Sequence, residues 1–214
     1  ADGEIRRGRY AASRAELLEQ GGLELRGCRI GLFGLGNIGR AVVPLAKAFG
    51  CSVAACDAFW PEEFAAENGV ERMDVAELFA ECDVVSLHCP LTDETYHMIN
   101  KDTIAQMKDD VILVNTSRGA LVDSEELIQG IRQGKFFGVG LDVYEEEGDN
   151  VFENREDELL QHSITARLLS FPNVIITSHQ GFLTREALAA ISRTTLQNAV
   201  DYENRTIHEA NQVK

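Results

Sequence analysis

No apolar run in this chain is long enough to span a bilayer, and no secretory leader is recognisable. Positive charge is scarce. Lys and Arg number 20 against 35 Asp and Glu, leaving a net charge of −15. A negative field of that size repels phosphate backbones and anionic lipid, so neither nucleic acid nor membrane is expected as a partner. No C-x-x-C pair or Cys/His ligand spacing occurs, which argues against a structural metal. The cysteines, Cys28, Cys51, Cys56, Cys82 and Cys89, are odd in number. Three lie in or beside apolar stretches that read as core strands. They are expected to be reduced thiols of a cytoplasmic protein, acting as small apolar residues. What is present is an ordinary globular composition over 214 residues, enough for one large or two small domains. A chain of this size buries about 70% of its unfolded surface and needs no covalent staples.

The chain is organised around Arg29-Ile30-Gly31-Leu32-Phe33-Gly34-Leu35-Gly36-Asn37-Ile38-Gly39. An apolar run ends in G-x-G-x-x-G, and a helical stretch, Arg40 to Phe49, follows. Gly34 permits the turn out of the strand. Gly36 lets backbone approach a pyrophosphate, and Gly39 lets the helix pack on the sheet. Amides at the helix start then face the phosphates, where the helix dipole favours negative charge. The triplet alone is a weak signal, but its context is specific. A second apolar strand, Ser52 to Cys56, ends in Asp57, 18 positions after Gly39. That is close to the offset of about 20 expected of the acid that binds a ribose 2′-hydroxyl. The stretch therefore predicts dinucleotide binding.

From Cys28 onward, strands and helices alternate. Strands are predicted at Arg29 to Phe33, Ser52 to Cys56, Val70 to Met73, Asp83 to Leu87, Val111 to Val114, Phe137 to Leu141 and Val174 to Thr177. Helices are predicted near Glu62 to Asn68, Val75 to Ala80, Ile104 to Met107, Ser124 to Gln133 and Arg185 to Asn204. Pro44 falls inside the first helix and should kink it or cost a hydrogen bond. The strands are continuously apolar, as in a parallel sheet buried on both faces. The pattern predicts an α/β fold with a doubly wound parallel sheet, which binds ligands at the carboxyl ends of its strands. Residues 1–20, with Arg6, Arg7 and Arg9 and a helical pattern through Leu17 and Leu18, read as a connector. The acidic stretch Glu145 to Glu158 reads as a solvated loop. Leu188, Ile191, Leu196, Ala199 and Val200 give the last helix an apolar surface that needs a partner.

Three strand ends carry candidate chemistry. The fifth ends in Asn115-Thr116-Ser117-Arg118-Gly119, where Arg118 could grip a carboxylate bidentately or pair with Asp123 or Asp142 at the surface. The sixth ends in Asp142-Val143-Tyr144-Glu145-Glu146-Glu147. The seventh ends in Ser178-His179-Gln180. One of these carboxylates could reach His179, orient its ring and favour the protonated form, although on spacing alone a structural histidine is the favoured reading. His88, His97, His162 and His208 show no acid at a strand end in comparable placement.

The sequence resembles the D-2-hydroxyacid dehydrogenase family, most nearly its D-lactate branch, from Leu23 onward. Five ordered motifs carry the resemblance: Gly34-Leu35-Gly36-Asn37-Ile38-Gly39, His88-Cys89-Pro90-Leu91-Thr92, Asn115-Thr116-Ser117-Arg118-Gly119, Gly140-Leu141-Asp142-Val143-Tyr144-Glu145 and His179-Gln180-Gly181-Phe182-Leu183-Thr184. The resemblance implies a Rossmann-type NAD-binding domain over residues 26–181. A connector helix (1–25) and a C-terminal helix (182–214) would flank it. It also implies catalytic roles for Arg118, Glu147 and His179, Glu147 being the acid five positions after Asp142. It places cofactor contacts at Gly34, Gly36, Asn37, Ile38, Gly39, Asp57, Cys89, Pro90, Thr95, Thr116, Ser117 and Asp142, and no metal. Gly181, two positions after the histidine, is more usual in phosphoglycerate-type members.

The implied activity is hydride transfer between NAD(H) and a small D-2-hydroxy acid or 2-oxo acid, D-lactate and pyruvate foremost. The implied assembly is a homodimer. The family's substrate domain, built mostly from a segment before the connector, has no counterpart here. The chain alone is therefore expected to bind NADH and to turn over negligibly. Two rivals share the residues: an NAD-sensing, non-enzymatic protein resembling the C-terminal-binding corepressors, and a bare nucleotide-binding module.

Overall fold

The computed structural model describes residues 21–145, 164–207 and 211. The connector pattern of residues 1–20, Glu146, Glu147, most of the acidic stretch, His162 and His208 lie outside the described residues. Seven strands form one parallel sheet: β1 (Arg29–Phe33), β2 (Ser52–Cys56), β3 (Glu71–Arg72), β4 (Val84–Leu87), β5 (Val111–Asn115), β6 (Phe136–Leu141) and β7 (Val174–Ile176). Their spatial order is β3-β2-β1-β4-β5-β6-β7. The chain steps outward from β1 to β3 and returns to lay β4 on the other side of β1. That reversal between β1 and β4 opens a crevice at the carboxyl ends of both strands.

Among the described residues, seven α-helices connect or follow the strands: α1 (Asn37–Ala48), α2 (Glu62–Asn68), α3 (Val75–Glu81), α4 (Lys101–Gln106), α5 (Ser124–Arg132), α6 (Ile164–Leu169) and α7 (Arg185–Asn204). Asp74, Asn100, Asp123 and Thr184 cap α3, α4, α5 and α7, each through a side-chain oxygen that accepts first-turn amides. The cap at Asn100, reciprocated by Thr103, starts α4 earlier than the apolar pattern around Ile104 indicates. The third strand shrinks to two residues at the sheet edge. α6 was not legible in the sequence, because a six-residue helix shows too little periodicity. Pro44 sits inside α1, on its exposed side, and the helix runs through it. The proline ring therefore faces water instead of breaking the packed face.

The sheet is covered on both faces, as its unbroken apolar strands require. On one face Leu32, Leu35, Val43, Val53, Ala55 and Ala65 form a smaller core under α1 and α2. On the other, Phe33, Phe79, Leu78, Leu113, Leu127, Ile128 and Leu168 form the larger core under α3, α5 and α6. Adjacent residues Leu32 and Phe33 enter opposite cores, which is the two-residue period of a strand at work. Cover thins toward the β7 edge, where Phe137 and Ile175 are exposed, and α7 has no buried residue. The apolar stripe of that helix, including Leu188, Ile191, Leu196 and Val200, is exposed.

Phe79 has no exposed surface and meets the Phe33 ring at a centroid distance of 4.8 Å. Phe79→Ala is expected to lower unfolding free energy by about 3–5 kcal/mol, as truncation of a packed aromatic does. Chemical denaturation of the two proteins at equal concentration measures it.

Candidate active site

The glycine turn is built as its spacing predicts. Gly34 has a φ of 99°, which L side chains rarely adopt. A Cβ there would also fall 2.8 Å from the carbonyl carbon and oxygen of His88 and 2.9 Å from the Cys89 nitrogen. Gly39 carries the helix against the turn, so a Cβ on it would strike the Gly34 carbonyl oxygen. Gly36 faces open space, and Asn37 and Ile38 beside it are exposed. No side chain caps α1, and its first turn contains no acid. Its amides are thus directed to an open mouth, which fits a pyrophosphate.

Asp57, at the end of β2, is held beside the turn. Its Oδ2 accepts the Leu35 amide at 2.5 Å and its Oδ1 the Phe59 amide at 2.7 Å. Across the crevice, the end of β4 supplies Cys89 and Pro90. Ser117 Oγ donates to the Cys89 carbonyl at 2.6 Å and ties β5 to β4. Thr95 Oγ1 donates to the Pro90 carbonyl and accepts the Thr92 amide, both at 2.8 Å, closing the loop after β4. Burial pushes the Cys89 thiol up to about 11, so it is protonated and unreactive near neutral pH. Asp57, Cys89, Pro90, Thr95 and Ser117 thus stand at or just beyond the carboxyl ends of β2, β4 and β5, on the side of the sheet that carries the glycine turn.

Asn115 is fully buried at the end of β5. Its Oδ1 accepts the Ser117 amide at 3.0 Å and its Nδ2 donates to the Arg118 carbonyl at 2.8 Å. That side chain folds the backbone so that Thr116 and Arg118 stand exposed at the mouth. Arg118 Nη1 donates to the Ser117 carbonyl. Both carboxylates considered as its surface partners are engaged elsewhere: Asp123 caps α5, and Asp142 is enclosed.

Asp142 clasps the strand-seven end. Its Oδ1 accepts from the Thr177 hydroxyl at 2.5 Å and the Gln180 amide at 2.9 Å, and its Oδ2 accepts the Gly181 amide at 2.9 Å. The His179 amide donates to the Asp142 carbonyl oxygen at 2.8 Å. Burial raises the Asp142 carboxyl, but the Thr177 hydroxyl, the two amides and His179 outweigh it and leave it below its usual value. His179 itself has a φ of 50°, and its ring meets the edge of Phe182 at 6.2 Å. Asp142 is thus spent on the backbone around His179.

One expectation needs correction. His97 does have an acid from a strand end. Its Nε2 lies 2.5 Å from Oε1 of Glu145, just beyond β6. A positive φ at His97 turns the ring there, and no spacing in the sequence announces a contact 48 residues apart. Glu145, one of the candidate partners of His179, is committed to His97. Thr177, which acts through the Asp142 carboxylate, and Asn115, which acts through the backbone beside it, also escaped the sequence reading. His88, by contrast, is half-buried and its ring lies 3.0 Å from the Ser86 hydroxyl. Burial lowers it toward the neutral form.

Residues 1–181 match the family described as D-isomer specific 2-hydroxyacid dehydrogenase, NAD binding domain, and the chain belongs to that family. It is 46% identical over 182 residues to the D-lactate dehydrogenase of Escherichia coli, covering 85% of this chain and 55% of that protein. It is 43% identical over 183 residues to an aromatic 2-oxoacid reductase of Clostridium sporogenes, again with 85% and 55% covered. Among solved structures it superposes on TP0037 of Treponema pallidum, a D-lactate dehydrogenase, with a TM-score of 0.87 at 33% identity, covering 100% of this chain and 62% of that one. The D-lactate dehydrogenase of Lactobacillus jensenii, solved with NAD+, gives 0.85 at 29% identity, with 97% and 61% covered. The chain spans about half the length of the curated relatives it matches. The cofactor of the domain is NAD, and the uncapped α1 with Asp57 beside it suits that ligand.

A carboxylate in the place of Asp57 would accept from a ribose 2′-hydroxyl and repel a 2′-phosphate, and no arginine follows it within residues 58–61. NADH should bind more tightly than NADPH by well over about 10-fold, or about 1.4 kcal/mol, in parallel fluorescence titrations. Equal dissociation constants would remove this role from Asp57.

Because the folded Asp142 carboxyl lies below its unfolded value, its stabilisation is present above the unfolded value and is lost as pH falls through the folded one. Asp142→Asn keeps one acceptor oxygen and turns an amide group toward a backbone donor. It should destabilise the cofactor-free protein by about 1–3 kcal/mol at neutral pH and by less in acid. Urea midpoints measured across that pH range test the sign.

Proposed function

We propose that the protein of which this chain is the NAD-binding part is an NAD-linked dehydrogenase of small D-2-hydroxy acids, with D-lactate and pyruvate the favoured pair. The observation that carries the reading is the convergence of Arg118, His179 and the glycine turn on the carboxyl ends of one parallel sheet. The relatives named above are dehydrogenases and a 2-oxoacid reductase, which favours an enzyme over the corepressor-like or bare-module alternatives. In this reading NAD(H), when bound, supplies or accepts the hydride at C2 of the substrate. Arg118 binds the carboxylate of the 2-oxo acid and polarises its carbonyl. His179, with Glu147 as its acid partner, donates a proton to the carbonyl oxygen as C2 is reduced, giving the 2-hydroxy acid. Oxidation returns the proton to His179.

The same reading divides the chain into a connector (1–25), the cofactor domain (26–181) and a helix leading on (182–214). It places the protein in the cytoplasm as a homodimer. Among the described residues no helix is long and apolar enough to cross a membrane.

A panel of 2-oxo acids assayed with the full-length protein and NADH tests the activity. NADH binding with no turnover on any of them would favour the rivals. His179→Ala should cost about 10²-fold or more in kcat, the ordinary range for a positioned acid. Glu147→Gln should lower kcat by about 10-fold or more with NADH affinity unchanged, and an unchanged kcat would assign Glu147 a structural part.

A further inference from the structure

His97 is where three segments of the candidate site meet, and none of the roles above uses it. Its φ of 49° lies in the left-handed region, where a residue with a Cβ needs compensation from its surroundings. Its amide donates to the Ala120 carbonyl at 2.9 Å. The Ile99 amide donates to Leu121 at 3.0 Å, and the Asp123 amide returns to Ile99 at 2.8 Å. Residues 97–99 are thereby laced onto the turn that follows Arg118.

The ring lies between two carboxylates. Nε2 is 2.5 Å from Glu145 Oε1 and Nδ1 is 3.6 Å from Asp123 Oδ2, while the Tyr96 ring stacks on the imidazole with centroids 4.0 Å apart. Each carboxylate is anchored a second time. Glu145 Oε2 accepts the Ser124 amide at 2.9 Å, and Asp123 Oδ1 accepts the Glu126 amide at 3.1 Å. Burial raises the Glu145 carboxyl, but its bonds from Ser124 and His97 prevail and hold it below the usual value. Each ring nitrogen faces one carboxylate, so one ring sits between both acids.

The other side of the turn is fixed by contact. Gly119, next to Arg118, lies so close to the Tyr144–Glu145 peptide that a Cβ on it would strike the Tyr144 carbonyl. The backbone under Arg118 is thus wedged against the β6 exit and pinned, through His97, to the same peptide segment. The guanidinium at the mouth donates to its neighbour Ser117. Its aim follows from the backbone beneath it.

We propose that His97 is a positioning residue: by bridging Glu145 and Asp123 it fixes the 118–124 turn and aims Arg118 at the substrate carboxylate. The proposal rests on the dehydrogenase reading above. It links the loop that lines the cofactor crevice, which contains Thr95 and runs directly into His97, to the arginine on the neighbouring strand end.

The test uses the full-length protein with His97→Gln and Glu145→Gln. Each is expected to lower kcat/KM for the 2-oxo acid by about 10- to 100-fold, the scale on which misplacement of a binding group is felt. NADH dissociation constants should stay within about 3-fold, read by fluorescence titration, because the glycine turn and Asp57 are untouched. In an Arg118→Lys background, where bidentate grip is already lost, adding His97→Gln should change kcat/KM by less than about 3-fold, since coupled residues are non-additive. Hydrogen exchange of the NADH-bound protein should show the Leu121 and Ser124 amides exchanging about 10-fold faster in His97→Gln, with β1 to β5 unchanged. Full additivity with Arg118→Lys, a parallel loss of NADH affinity, or unchanged exchange at residues 118–124 would each overturn the proposal. If the unmodified protein reduces no 2-oxo acid, the dehydrogenase reading fails by itself. The exchange measurement then decides alone whether His97 holds the turn.

Discussion

Where β1 runs out against the end of β4, the backbone of Gly34 lies so near the His88–Cys89 peptide that a Cβ would fall 2.8 Å from the His88 carbonyl. This contact sets how closely the two halves of the sheet join at their carboxyl ends. Gly39 repeats the constraint one helical turn later by packing α1 onto the Gly34 carbonyl. Asp57 reaches the same turn from β2 and takes the Leu35 amide. The open mouth at Gly36, the uncapped start of α1 and the placing of Cys89 opposite all follow from that approach. A chain carrying −15 can hold an anionic cofactor because the attraction comes from fixed amides at short range, where screening and the distant field count for least.

The carboxyl ends of β5, β6 and β7 are tied by a different chemistry. There the backbone is shaped by buried polar side chains that serve neighbouring amides. Asn115 folds the Thr116–Arg118 loop, and Asp142 gathers Thr177, Gln180 and Gly181. Glu145 turns the other way, to His97 and Ser124. Two acids separated by two residues thus stabilise different loops, because the chain beyond β6 presents them to different neighbours. The energetic logic is common to both the buried Asp142 and the half-buried Glu145: a carboxylate drawn out of water needs several donors, and those donors belong to the loops it orders.

Much of this was legible beforehand. The unbroken apolar runs, the glycine triplet and the position of Asp57 specify strands, turn and a doubly wound parallel sheet through periods and spacings that act over a few residues. The start of α4 was misplaced because Asn100 and Thr103 form a cap that outweighs the apolar pattern around Ile104. The two-residue β3 and the six-residue α6 were poorly marked or unmarked, being too short for any period to show. His97 was set aside because its partner is 48 residues distant and is met only after β5 and β6 lie side by side. Thr177 was read only as the end of a strand for the same reason, its partner Asp142 being 35 residues away. Local chemistry announces elements, whereas the clasps between strand ends exist only in the assembled sheet.

The strand order has a thermodynamic side as well. β1, β2 and β3 with α1 and α2 make one half of the sheet, and β4 to β7 make the other. A dinucleotide lying across the crevice touches both halves, so it binds only molecules in which both are formed and correctly joined. By mass action it stabilises that joint, by about 2.7 kcal/mol when free ligand is 100 times its dissociation constant. Cofactor occupancy and the integrity of the sheet are therefore two readings of one equilibrium. A substitution anywhere along the β1–β4 seam will surface as a weakened affinity for NADH, even when it lies far from every atom of the ligand.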